Sequence, residues 1–302
     1  MVCFKHFFMK FAKILLLSVP LLLVFFSSCD KINTFVGAIK HGNIKDTVLD
    51  MDTVVPLKRI LLEDYTGHYC VNCPTATKLA QTLAGTYIGK LIVLGVHAGY
   101  NARLPVPDSG EFAADFRSTA GENWNIDFGI NDIDPQGMVN RLTFNGKRVL
   151  SKDAWSNAVS GIISEEPAAL MVMVNSYNAS ERTVTSTIYT QFLTALSGGY
   201  TLTVCIVEDS LISAQSNNNS IVGTVPVIHN YVFMDVLREA VNGSYGEALT
   251  NSVNTGTTYM GTYNISLKES WVPKNCSVLA FVSKSDDTKE IIQVLKKKVI
   301  PE

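Results

Sequence analysis

The chain has 302 residues, 47% hydrophobic and 17% charged, with a formal net charge of −2. That balance lacks the basic excess of a nucleic-acid footprint and excludes that class of partner. The length suits one large domain or two of ordinary size.

Lys5, Lys10 and Lys13 lead into an apolar run from Ile14 to Phe26, broken only by Ser18 and Pro20. Ser27, Ser28 and Cys29 follow. Basic head, apolar stretch and small residues in that order predict a secretory signal over 1–28. The apolar part is shorter than the roughly 20 residues that cross a bilayer. A start at Met9 would keep a compact Lys10/Lys13 head. The cysteine at the cleavage point resembles the lipobox of bacterial lipoproteins, in the relaxed form found among the Bacteroidota. That resemblance implies that the Cys29 thiol carries a diacylglycerol with acyl chains such as palmitate. Two acyl chains anchor stably where one binds marginally. The alternative is an ordinary cleaved signal with an incidental cysteine. Residues 29–56 are polar and without period, and read as the lipidated cysteine and a flexible tether.

At 57 the pattern sharpens. Residues 59–65 read as a strand broken by Thr66 and Gly67, and 74–87 carry Ala76, Leu79, Ala80 and Leu83 at helical spacing behind Pro74. The apolar run 91–96 reads as a buried strand. Strand, helix and strand predict a parallel βαβ unit. A helical piece is expected around 111–119. Asn145-Gly146 marks a hairpin between 137–141 and 147–150, and Ser151 caps a helix reaching about Ile163.

Cys70-Val-Asn-Cys73-Pro74 falls between the first strand and the first helix. A thiolate there meets unpaired backbone N–H groups and the positive end of the helix dipole, which lower its pKa. Cys70 would attack a substrate sulfur and Cys73 would resolve the mixed disulfide. Two other readings stay open. The pair is a structural staple, or it joins His68 and His97 as soft ligands for Zn²⁺ or copper.

Beyond Glu165-Glu166-Pro167 the chain changes character. Segments 170–176, 183–192, 200–207, 258–267, 278–283 and 290–294 are rich in Val, Thr, Ile and Tyr. Their spacing predicts an antiparallel sandwich over 166–302. Cys205 lies in one strand pattern and Cys276 opens another. They form either a disulfide or two buried free thiols, which are common core residues. Exported chains meet an oxidising compartment in which disulfides persist.

With these elements in place, residues 57–165 resemble the thioredoxin superfamily. The resemblance makes Asp64 the buried acid that moves protons for the resolving cysteine, and Pro135 the cis-proline that shapes the substrate groove. It implies exchange without a cofactor. Tyr69 and Asp134 depart from the usual residues beside the first cysteine and the proline. The whole is similar to the outer membrane protein 28-related lipoproteins of the Bacteroidota. The residues carrying that likeness include Leu61-Leu-Glu-Asp-Tyr-Thr-Gly67, Val96-His-Ala-Gly99, Gly137-Met-Val-Asn-Arg141, His229-Asn-Tyr-Val232 and Asn275-Cys276.

The expectation is therefore an α/β thioredoxin-like domain over 57–165, followed by an all-β, immunoglobulin-like sandwich over 166–302. The chain would be tied to the outer membrane through Cys29, facing the periplasm or the surface. Its partners would be exported client proteins or a redox partner. The competing expectation is a non-enzymatic lipoprotein whose sandwich binds a partner or glycan.

Overall fold

A short strand, Phe35–Ile39 (β1), runs parallel to a much later strand, and the central sheet begins with Ile60–Thr66 (β2). The computed structural model describes residues 35–39, 51, 54–105, 110–130 and 134–300. The expected leader, Cys29 and most of the 29–56 segment lie outside the described residues.

All seven residues of β2 are buried, as in a strand covered on both faces. Helix Cys73–Thr86 (α1) follows, with proline in its first turn and Ala76, Ala80 and Leu83 buried. Strand Leu91–His97 (β3) then pairs parallel to β2, from Ile60 opposite Leu91 to Thr66 opposite His97. The next helix is Thr119–Asp127 (α2) rather than 111–119, because the Ser118 hydroxyl accepts the Gly121 N–H at 3.1 Å and starts the helix there. Strands Gln136–Val139 (β4) and Leu150–Ser151 (β5) precede helix Lys152–Ile162 (α3). The turn between them has Asn145 and Gly146 both at positive φ, the backbone that an Asn-Gly hairpin turn needs.

Ten further strands complete the described chain: Ala169–Asn178 (β6), Thr183–Phe192 (β7), Leu196–Glu208 (β8), Leu211–Ser216 (β9), Val227–Phe233 (β10), Val236–Ala240 (β11), Glu247–Val253 (β12), Thr258–Ser266 (β13), Cys276–Lys284 (β14) and Ile291–Lys298 (β15). Strands β1, β13, β7 and β6 form one sheet, and β9 with β10 a two-stranded ribbon. The remaining nine form a mixed sheet in the order β15-β14-β8-β11-β3-β2-β4-β5, with β12 also on β8.

That mixed sheet corrects the expected fold class. There is no α/β thioredoxin-like domain set beside a separate antiparallel sandwich. Among the described residues fifteen strands stand against three α-helices, and strands from both sides of residue 165 share one sheet. The join is β11, parallel to β3 through Val236 opposite Gly95 and antiparallel to β8. A bare apolar β3 would be an open edge prone to wrong pairing, and β11 covers it. One core cluster follows the join, packing Leu61, Leu94 and Met138 with Val207, Leu237, Leu279 and Phe281. The four-stranded sheet packs its own apolar face against β8 and β14.

Inside that shared core lies a buried ion pair. Arg141, fully buried, donates to Glu63 through Nη2 at 2.7 Å and through Nε at 2.9 Å. The rings of Trp124, Phe128 and Phe281 surround the guanidinium at 4.8, 4.9 and 5.2 Å. Removing one partner strands a charge away from water. Arg141→Met is expected to lower the unfolding free energy by about 3–5 kcal/mol, and the Glu63→Leu/Arg141→Met pair by clearly less. Urea denaturation of the three proteins measures both.

Candidate functional site

The carboxyl-terminal end of β2 delivers the chain into a tight loop before α1. Gly67 makes this loop possible: a Cβ there would stand 2.2 Å from the Asn101 carbonyl carbon. Two turns of backbone hydrogen bonding follow, from Cys70 N to Gly67 O and from Cys73 N to Cys70 O. They bring the thiols of Cys70 and Cys73 into a disulfide with Cα atoms 5.4 Å apart. Cys73 is the first residue of α1, so the bond sits on the helix N-terminus, where unpaired N–H groups favour negative charge. Cys70 is 4% and Cys73 1% exposed, whereas Val71 between them is 42% exposed.

The cover over the disulfide comes from β9 and the chain after it, far along the sequence. The buried Gln215 amide donates to the carbonyls of Cys70 at 2.9 Å and Gly67 at 3.2 Å. Ser216 N donates to His68 O, and Asn218 N to Val71 O. Asn218 and Asn219 side chains then reach Asn72 and Thr75 on the other side of the motif. Sequence pattern gave no sign of these residues. Gln215 lies in a polar strand without clear alternation, and its role depends on a contact 145 positions away.

Alternation along β2 separates its two acids. Glu63 goes to Arg141, and Asp64 goes to the α1 side, where its Oδ2 accepts from the Thr77 hydroxyl at 2.9 Å. Oδ1 of Asp64 is buried without a partner. Burial pushes the Asp64 carboxyl up to about 7; the Thr77 bond opposes this and the nearby Asp134 charge adds to it. Tyr231 of β10 faces the same place, its hydroxyl pushed up to about 12 by burial and by the Asp64 charge, with a Thr77 hydrogen bond acting the other way.

Pro135 follows a cis Asp134-Pro135 bond and stands just before β4, whose Gln136 is opposite Tyr65. It is therefore at the same end of the sheet as the disulfide. Asp134 accepts from the Asn101 amide at 3.1 Å.

The histidines are walled in by aromatics. His68 has its ring nitrogens 2.7 Å from Ala114 O and 3.1 Å from Ala214 O. His97 packs against His68, Phe116 and Phe233 at 5.6, 5.3 and 5.2 Å. Burial holds the His97 imidazole well below its usual range, and His68 and Arg238 push it further down. Among the described residues no three His, Cys, Asp or Glu side chains are grouped to hold a metal.

Cys205 and Cys276 do not form the candidate disulfide; both are free and buried. The sheet register gives the reason. Cys205 is opposite Leu279, and Cys276 is three residues before Leu279 on the same strand. An odd offset puts the two thiols on opposite faces, one in each of two core clusters. Burial pushes the Cys276 thiol up to about 12 and that of Cys205 higher still, as befits inert core thiols.

Asp64 also sets a sign for stability against pH. Its folded pKa lies above the unfolded value of about 3.9. The folded chain therefore holds a proton that the unfolded chain has lost across the interval between the two. This contribution is complete below pH 4 and is lost as pH rises through 7. Relative to Asp64→Asn, the natural protein should lose stability from pH 4 to 8 and level off beyond. Denaturant titrations of both proteins across that range measure the difference.

The family model described as Outer membrane protein Omp28 matches residues 121–302. Among solved structures, HBP35 of Porphyromonas gingivalis aligns with a TM-score of 0.59 at 17% identity, covering 81% of this chain and 76% of that one. At this identity the likeness concerns the fold alone. Protein AGR_C_4864 from Agrobacterium tumefaciens aligns at 12% identity with a TM-score of 0.48, over 82% of this chain and 98% of that one. No curated protein matches the chain. The matched segment takes in well over half of the sequence, including the strands that cover the disulfide, and supports an outer-membrane location. The chain belongs to the Outer membrane protein Omp28 family.

Proposed function

We propose that this outer-membrane protein is a lipoprotein, anchored through Cys29, that exchanges disulfides with exported proteins at Cys70 and Cys73. The leader would end at residue 28 and the tether at 56, with the exchange residues in 57–165 and the strands that cover them in 166–302. One observation carries the reading: a disulfide on a helix N-terminus, with a buried carboxyl facing the same helix one turn further on. The Asp64 carboxyl is half protonated near pH 7, so it can either give or take a proton at working pH.

In the oxidising direction a client thiolate attacks the Cys70 sulfur and the Cys70–Cys73 bond breaks. The electron pair leaves on Cys73, which takes the Asp64 proton. A second client thiolate then attacks the client's own sulfur in the mixed disulfide and expels Cys70 as thiolate. The client dithiol becomes a disulfide and the protein disulfide becomes a dithiol. The reverse sequence reduces a client. Pro135, beside the same end of β2, would border the groove that receives the client chain.

A second reading has its own support. Near-complete burial of both cysteines under hydrogen-bonded chain suits a structural staple, with the β-rich remainder binding a partner or glycan. Staples typically have potentials below about −300 mV, so the measured Cys70–Cys73 potential separates the two.

The exchange reading expects Cys73→Ala to accumulate mixed disulfides between Cys70 and envelope proteins. These would appear on non-reducing gels and vanish in the Cys70→Ala/Cys73→Ala pair. A folded Cys73→Ala protein that traps no client would overturn the reading.

A further inference from the structure

Beside Cys73 lies a small cavity of about 10 Å³, lined among others by Asp64, Thr77, His97, Gln215 and Tyr231. That is the room one water molecule needs. Two buried polar atoms of this lining have no protein partner, Asp64 Oδ1 and His97 Nδ1. Both residues lie on the α1 side of the sheet: Asp64 is opposite Gly95 and Thr66 opposite His97 in the β2–β3 register, and alternate residues share a face. A buried donor or acceptor left unmatched destabilises the fold, and a water with two to four polar partners removes that cost.

We infer that one buried water bridges Asp64 Oδ1 and His97 Nδ1, which makes His97 a positioning residue for the Asp64 carboxyl. The hydrogen-bond directions follow from the groups. Thr77 donates to Oδ2, so the acid proton of Asp64 sits on Oδ1. In the acid form, Oδ1–H donates to the water and the water donates to a bare His97 Nδ1. In the carboxylate form, His97 Nδ1–H donates to the water and the water donates to Oδ1. His97 stays neutral throughout: one proton leaves Asp64 for the Cys73 thiolate or for solvent, and His97 gives up its Nε2 proton to water as it gains one on Nδ1 from water, so the pair releases one proton in all.

The surrounding charges fit this division. Asp64 is faced by Thr77 and Cys73 on α1, His97 on β3, Asp134 before β4, Tyr231 on β10 and Asp235, whose charge Lys296 already binds. His97 is faced by His68, Arg238 and Asp115. His97 is thus a neutral group of the same lining able to answer a change at Asp64 without taking a net charge.

The functional meaning of the bridge rests on the exchange reading, but its test does not use exchange. The full-length protein with ¹⁵N-labelled histidine and ¹³C-labelled aspartate is titrated by NMR in both redox states, with Asp64→Asn to assign the signal. The natural protein should show His97 neutral from pH 5 to 9, switching tautomer at the same midpoint as the Asp64 carboxyl. His97→Phe should raise that midpoint by about one unit, a tenfold change in proton affinity, and His97→Asn should restore most of it. A His97 tautomer that stays fixed through the Asp64 transition overturns the inference, even if His97→Phe does not fold. So does an unmoved midpoint in a folded His97→Phe protein. Failure to trap clients at Cys70 would remove the exchange reading and leave these titrations standing.

Discussion

Glu63 and Arg141 form a buried ion pair in the shared core, and the placing of the two acids of β2 depends on it. A carboxylate with no water around it needs a cation with matching geometry, and Arg141 supplies two donors to it. Asn140 and Arg141 both take positive φ to bring this about, an uncommon backbone for arginine. Asn140 supports the turn by accepting from Leu61 N and donating its own N–H to Leu61 O. Because strand side chains alternate, fixing Glu63 on one face fixes Asp64 on the other. The ion pair therefore decides which acid can meet α1 and the disulfide.

The second organising feature is the join at β11. Its pairing with β3 turns what would be an edge into the middle of a sheet, and carries the core across residue 165. Immediately before β11, the β9–β10 ribbon crosses to the CxxC loop, so the chain that closes the sheet also closes the site. Gln215, Tyr231 and Phe233 reach the cavity beside Cys73 from this ribbon. The thiol chemistry proposed for the first half is thus enclosed by residues of the family-matched half.

Much of the local structure was legible. The strand at 59–65, the helix behind Pro74, the strand at 91–96, the Asn-Gly turn and the helix after Ser151 all appear where periodicity and turn chemistry put them. These signals are local, carried by spacing and by single residues with strong backbone preferences. The helix expected at 111–119 was misplaced because Ser118, a better cap, lies later. Strands β9 to β12 were hardly visible. Strands β9 to β11 mix apolar and polar, buried and exposed residues without a clean period, and they are fixed by distant partners rather than by their own alternation.

The sequence by itself determined the CxxC at a strand-to-helix junction and the neighbouring acid, since each is a property of adjacent residues. Only tertiary structure decided the fold class, the separation of Cys205 from Cys276 and the cover over the disulfide. Each of these depends on register or face, and a one-residue shift reverses which face a side chain takes. No short window of sequence contains that information. It comes from strands more than a hundred residues apart choosing one alignment in a shared core.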